Sequence, residues 1–250
     1  MGQSPIKMKG GNAVKEYIHT IPVVEALREP GNCAFCAMYN RIEEHAIQFV
    51  MGPSYMEDDV RMETNRIGFC DNHLKSMYAE QNRLGLALML TTHMRQLNKE
   101  LAGIVKNRLP SPFFGKDNTG PLAKMGSYLD KTVNACYVCN RVEHNFTLYI
   151  GTFLHLWVNG GENAKLIKAQ KGYCLPHFTR LIKTAREKYG RSKREKFLEE
   201  IVQPQLAMLK ELAEDLDWFT QKFDHRNANE PWKNSKDALP RALSTFGAST

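Results

Sequence analysis

The chain lacks any apolar run approaching the roughly 18 residues that a membrane-spanning helix needs. Its longest, Leu84 to Leu90, stops far short and contains a glycine. No apolar leader followed by a small-residue cleavage site opens the sequence. There is no phosphate-cradling glycine loop, no nucleophile elbow and no paired-acid motif. After residue 30 no strand-like alternation appears, which argues against a sheet. These absences give no support to the commonest hydrolytic and nucleotide-dependent activities. They predict a cytosolic protein without membrane insertion and lean against an enzyme. Cysteine is scarce as well, with six in 250 residues. In a reducing compartment such cysteines bind metal or do redox work more often than they form structural disulfides.

What is present is one arrangement that occurs twice. The first copy is Cys33-Ala-Phe-Cys36 followed by Gly68-Phe69-Cys70-Asp71-Asn72-His73, and the second is Cys136-Tyr-Val-Cys139 followed by Gly172-Tyr173-Cys174-Leu175-Pro176-His177. The copies are offset by 103 residues at the first cysteine and 104 at the histidine, and they use all six cysteines. Such register points to an internal duplication in which each half carries a Cys3His ligand set. In CxxH the two ligands are three apart, so on the first turn of a helix they project to the same side. The helix N-terminus favours thiolate over thiol. The expected sites are Cys33, Cys36, Cys70 and His73 in one half, and Cys136, Cys139, Cys174 and His177 in the other.

A matched tetrapeptide follows each CxxC: Asn40-Arg41-Ile42-Glu43 and Asn140-Arg141-Val142-Glu143. Glu43 lies seven residues after Cys36, and Glu143 four after Cys139, so each shares its cysteine's helix face. These glutamates, with Arg41 and Arg141, are candidates to hold the second nitrogen of a ligand histidine; inherited surface Arg/Glu pairs are the alternative. His45 and His144 read as helix-surface histidines. The Met/Leu run over 84–94 reads as core, with an apolar groove as the alternative.

With 42% apolar residues the chain can bury a real core. Helical spacing of apolar residues covers 35–51, with a short polar helix over 57–66 and one long helix from about 72 to 107. The second half repeats the plan with helices over 139–157, 162–170, to about 189, and 192–223. Residues 14–29 fit either a strand-like run or a helix. The segments read as an N-terminal piece over 1–30, a first helical repeat over 31–108, a Pro/Gly-rich connection over 109–122, a second repeat over 123–224 and a tail over 225–250. The tail is expected to dock on the body or on a partner. The expected fold is all-α, two pseudo-symmetric halves each stapled by one Cys3His site.

Charge is uneven. Between residues 163 and 196 stand eleven Lys/Arg against two glutamates, which accounts for the whole net charge of +7. Such a face, including Lys183, Arg186, Lys193 and Arg194, suits nucleic acid or another acidic partner, or is a solvated lysine-rich helix. For the cysteines, a thioredoxin-type dithiol expects a βαβ setting and leaves CxxH unexplained. Inert buried cysteines do not explain a matched pattern. Metal remains: two Zn2+ in closed structural sites, or two iron–sulfur clusters, for which four cysteines are the commoner ligand set.

The motifs CAFC, Asp58-Asp59-Val60-Arg61, GFCDNH, the Gln81-to-Leu88 segment, CYVC, GYCLPH and the Pro231-Trp232 tail resemble an uncharacterised family of cytosolic proteins from anaerobic Firmicutes. The resemblance covers nearly the whole chain. It implies the duplicated CxxC/CxxH layout and carries no activity. The expectation is a metal-binding protein acting as a binder or scaffold for a protein or peptide. An electron-transfer protein with clusters, or a nucleic-acid binder using the basic face, are the alternatives.

Overall fold

The computed structural model describes residues 18–31, 33–106, 120–159 and 161–247. The expected loose N-terminus and most of the Pro/Gly-rich connection lie outside the described residues. Among the described residues all regular structure is helical. In chain order the helices are α1 (Thr20–Arg28), α2 (Ala34–Met51), α3 (Asp58–Ile67), α4 (Asp71–Ala79), α5 (Arg83–Lys106) and α6 (Pro121–Val133), then α7 (Tyr137–Asn159), α8 (Glu162–Lys168), α9 (Leu175–Lys188), α10 (Arg191–Phe197), α11 (Gln203–Gln221) and α12 (Ala238–Phe246).

Residues 14–29, readable either way from sequence, contain helix α1, whose Val23, Val24, Ala26 and Leu27 are buried. The single long helix expected over 72–107 is two. The Asn82 carboxamide oxygen accepts from the Gly85 amide at 2.8 Å, and its nitrogen donates to the Met51 carbonyl at 2.8 Å. Asn82 thus caps a fresh helix start and ties the break to the end of α2. Helix α6 is not anticipated at all, although Pro121 at its first turn and the spacing of Leu122, Met125 and Leu129 are helix signals.

The chain divides into two compact units, 1–40 with 146–250, and 41–145. They do not coincide with the two repeats, since each unit takes a piece of both.

In the first unit Phe35 is the centre of the core. Its ring meets Phe153 at 4.8 Å, Tyr173 at 5.1 Å and Phe146 edge-on at 6.0 Å. Trp157 packs on Tyr189 and Phe197. Helices α10 and α11 are joined by a wide turn, Leu198–Val202, in which the Gln203 amide bonds the Leu198 carbonyl five residues back. Pro204 follows directly. In a regular helix its ring would collide with the carbonyl four residues earlier, and the wide turn relieves this. The tail docks: Ala238 and Ala242 of α12 pack with Leu212, Met208 and Leu216, and Arg241 pairs with Asp215 at 2.8 Å.

In the second unit α5 packs against α3, α4 and α6. The core takes Ile42, Ala46 and Val50 from α2 and Val138 and Val142 from α7, with Val60, Met77, Leu86 and Met89. Only one face of the Met/Leu run is inside; Leu84 and Met94 are exposed.

Candidate metal centres

The structure gathers all eight ligand candidates into two quartets. Site A, in the first unit, is Cys33, Cys36, Cys174 and His177; site B, in the second, is Cys70, His73, Cys136 and Cys139. Two Cys3His groups stand as expected, but their membership is exchanged. Each CxxC closes on the CxxH of the other repeat, not its own. The exchange goes with packing inside the motifs: Phe35 of the first CxxC lies against Phe146, Phe153 and Tyr173, and the Tyr137 amide of the second CxxC donates to the Gly68 carbonyl at 2.9 Å.

At each site four donor atoms lie within 4.8 Å of one another. In site A, Nδ1 of His177 stands 3.2 Å from Cys174 Sγ, 3.4 Å from Cys36 Sγ and 3.9 Å from Cys33 Sγ, and Cys36 and Cys174 are 3.6 Å apart. In site B, Nδ1 of His73 is 3.2 Å from Cys70 Sγ and 3.3 Å from each of Cys136 and Cys139, with Cys70 and Cys139 3.8 Å apart. Ligands at about 2.0 to 2.3 Å from one ion form a tetrahedron with edges of about 3.3 to 3.8 Å. The closest donor pairs, 3.2 to 3.9 Å apart, lie near that figure.

Local structure explains the convergence. Cys70 and Cys174 are the N-caps of α4 and α9, with extended backbone, so their sulfurs meet the positive helix ends. Gly68 adopts φ +76°, and a Cβ there would lie 2.6 Å from Nε2 of His93, so the turn before Cys70 tolerates only glycine. His93 Nδ1 bonds the Asn65 carbonyl at 2.8 Å, and the Tyr137 amide donates to the Gly68 carbonyl at 2.9 Å. At Gly172 a Cβ would meet Met208 at 2.7 Å. Behind it the fully buried Gln205 clamps the backbone of Tyr173. Its oxygen accepts from the Tyr173 amide at 2.7 Å and its nitrogen donates to the Tyr173 carbonyl at 2.9 Å. Sequence reasoning missed Gln205. Its signal is a carboxamide on each side of a proline inside a helical pattern, Gln203-Pro204-Gln205.

Crowding of the sulfurs shifts Cys36, Cys139 and Cys174 in different directions. Burial, with Cys136 beside it, pushes the Cys139 thiol up to about 12. Cys36 is pushed up by its contacts with Cys174 and Cys33 and by burial. Cys174 goes the other way, held low by hydrogen bonds from Cys33, Cys36 and His177 that outweigh its burial. For His177 burial pulls down, but Cys174 and Cys33 prevail and push it up to about 9. A divalent ion between the sulfurs would supply the positive charge that lets all three ionise, so the donor set fits one.

Around the quartets, Glu43 Oε1 accepts from His73 Nε2 at 3.0 Å, leaving Nδ1 to face the sulfurs. Glu143 lies exposed on α7. The Arg141 guanidinium stacks over Phe49 at 3.8 Å; Arg41 is half-buried on α2. His45 and His144 are exposed. His177 is surrounded by Phe146, Tyr39 and Phe35 rings. Lys183, Arg186, Lys193 and Arg194 are exposed on α9 and α10. Lys193 lies over Tyr189, and Arg194 donates to the Arg186 carbonyl. An open cleft of about 480 Å³ between these helices is lined by Lys188, Tyr189, Gly190, Arg191, Ser192 and Lys193.

No helix among the described residues is long and apolar enough to cross a membrane. The model of a family described as "Family of unknown function (DUF6062)" matches residues 14–249. No curated protein and no solved structure matches the chain.

Proposed function

Because the chain belongs to DUF6062, a family of unknown function, its activity has to be read from its own residues, and we propose that it is a cytosolic zinc protein that binds or scaffolds a protein or peptide partner. Sites A and B each hold one Zn2+ in a closed Cys3His set. The observation that carries this is the convergence of four donor atoms within 4.8 Å of one another at each site, the closest of them 3.2 to 3.9 Å apart, which suits one ion per quartet. In a four-iron cluster each thiolate sits on a different iron, so its ligand sulfurs stand farther apart than these donors do. Four protein ligands leave no open position for substrate water, which supports a structural role over hydrolysis.

Metal analysis of protein purified without oxygen tests the reading. Colourless protein with about two zinc per chain is expected. Brown protein with a broad visible band and iron would replace zinc with the electron-transfer reading.

The basic cleft between α9 and α10 favours one further reading, a nucleic-acid or other polyanionic partner on this face. Binding of a nucleic acid would fall steeply with salt and with charge reversal at Lys193, which lines the cleft, and Arg194 beside it. Salt-independent binding, or binding indifferent to those reversals, removes it.

A further inference from the structure

We infer that the ions at sites A and B join the two sequence repeats to each other, so that the repeats cohere only while metal is bound. This rests on the reading of the quartets as metal sites. Each repeat owns a CxxC and a CxxH, yet the two never share a site. Cys33 and Cys36 meet Cys174 and His177, while Cys136 and Cys139 meet Cys70 and His73. A repeat by itself therefore offers each ion two donors, and the other repeat supplies the remaining two. Pulling the repeats apart strips two ligands from both ions at once.

The repeats also meet along α2 and α7, where Arg141 stacks over Phe49 at 3.8 Å, and where α5 packs on α6, while other contacts stand at the motifs themselves. Phe35, which packs on Phe146, Phe153 and Tyr173, stands inside the first CxxC. Tyr173 precedes Cys174, and Gly68, whose carbonyl receives the Tyr137 amide, lies two before Cys70.

The test uses the full chain with a protease site placed within residues 107–119, cut after folding and kept reduced. With zinc bound, the cut chain should elute as one particle of full mass. On EDTA treatment the full-mass peak should be lost to two pieces, and returned zinc should restore it. Pieces that stay together without metal, or part with both ions bound, overturn the inference. Zinc content of the uncut chain separates the failures. Two zinc with indifferent pieces sinks only this inference, whereas no zinc sinks the metal reading along with it. Where cutting itself unfolds the chain, the uncut Cys36→Ser variant carries the test. In zinc, alkylation read by mass spectrometry should label Cys33 and Cys174, which belong to different repeats, and spare Cys70, Cys136 and Cys139. Labelling of Cys33 and Cys70 instead overturns it.

Discussion

Replacing Gln205 with alanine removes both hydrogen bonds that hold the Tyr173 backbone. Gln205 is fully buried, and its amide meets the Tyr173 N–H at 2.7 Å and the carbonyl at 2.9 Å. Each buried backbone group left without a partner costs about 1–3 kcal/mol, so the pair is worth about 2–6 kcal/mol. That is a large part of the roughly 5–15 kcal/mol that a folded chain has in total. Tyr173 directly precedes Cys174, so part of the loss must appear in metal binding at site A. At about 1.4 kcal/mol per factor of ten, a share of that size weakens site A at least tenfold and leaves site B as it was. Urea unfolding gives the first number, and chelator competition on zinc-loaded protein gives the second. Gln205→Glu should not rescue, because its carboxylate faces the Tyr173 carbonyl it must repel. Unfolding within about 0.5 kcal/mol of the parent, with site A affinity unchanged, would refute the reasoning.

Three further outcomes are expected. The Tyr173 hydroxyl is buried without a hydrogen-bond partner, and the matching residue of the first motif is Phe69. Tyr173→Phe should therefore be neutral or raise stability by about 1 kcal/mol in thermal melts, and a loss of that size counts against it. Buried Lys222 donates to the carbonyls of Asn227, Ala228 and Glu230 at 2.5, 3.0 and 2.6 Å. Lys222→Met orphans that cluster and should cost about 2–4 kcal/mol with faster proteolysis of the 224–232 turn; unchanged cleavage and melting would contradict this. Glu43→Ala frees His73 Nε2 and should weaken zinc at site B about 10–100-fold by chelator competition, with any change at site A far smaller.

The all-α fold and the eight ligand candidates were legible because the relevant rules are local. Helical spacing alone placed α2, and the register of two CxxC/CxxH motifs marked the cysteines and histidines that the structure groups. Glu43 was reachable for the same reason, being a fixed number of residues along one helix from Cys36. The pairing was not legible. A CxxC and a CxxH supply the same two-plus-two donors whichever repeat each comes from, so composition and spacing are identical for either connection. The break at Asn82 was hidden because apolar residues keep helical spacing on both sides of it, and the decisive partner, the Met51 carbonyl, is 31 positions away. Gln205 was hidden because its partner is a backbone peptide 32 residues distant.

The exchange has a consequence for how the chain closes. Pairing within each repeat would close two loops of 34 and 35 positions, Cys36 to Cys70 and Cys139 to Cys174, lying side by side in the chain. The observed pairing closes one of 63 positions, His73 to Cys136, inside another of 138, Cys36 to Cys174. Nested loops are coupled where independent ones are not. Once the inner loop is shut, roughly 75 free positions remain in the outer one, and closing 75 instead of 138 saves about 0.5 kcal/mol of chain entropy. Where folding and metal binding occur together, zinc at site B should therefore strengthen zinc at site A by about two- to threefold from connectivity alone. Chelator competition at site A, in the parent and in Cys136→Ser, reads this directly. Equal affinity in the two would mean that the loops close independently, as side-by-side loops do, and the nested connection would lose its support.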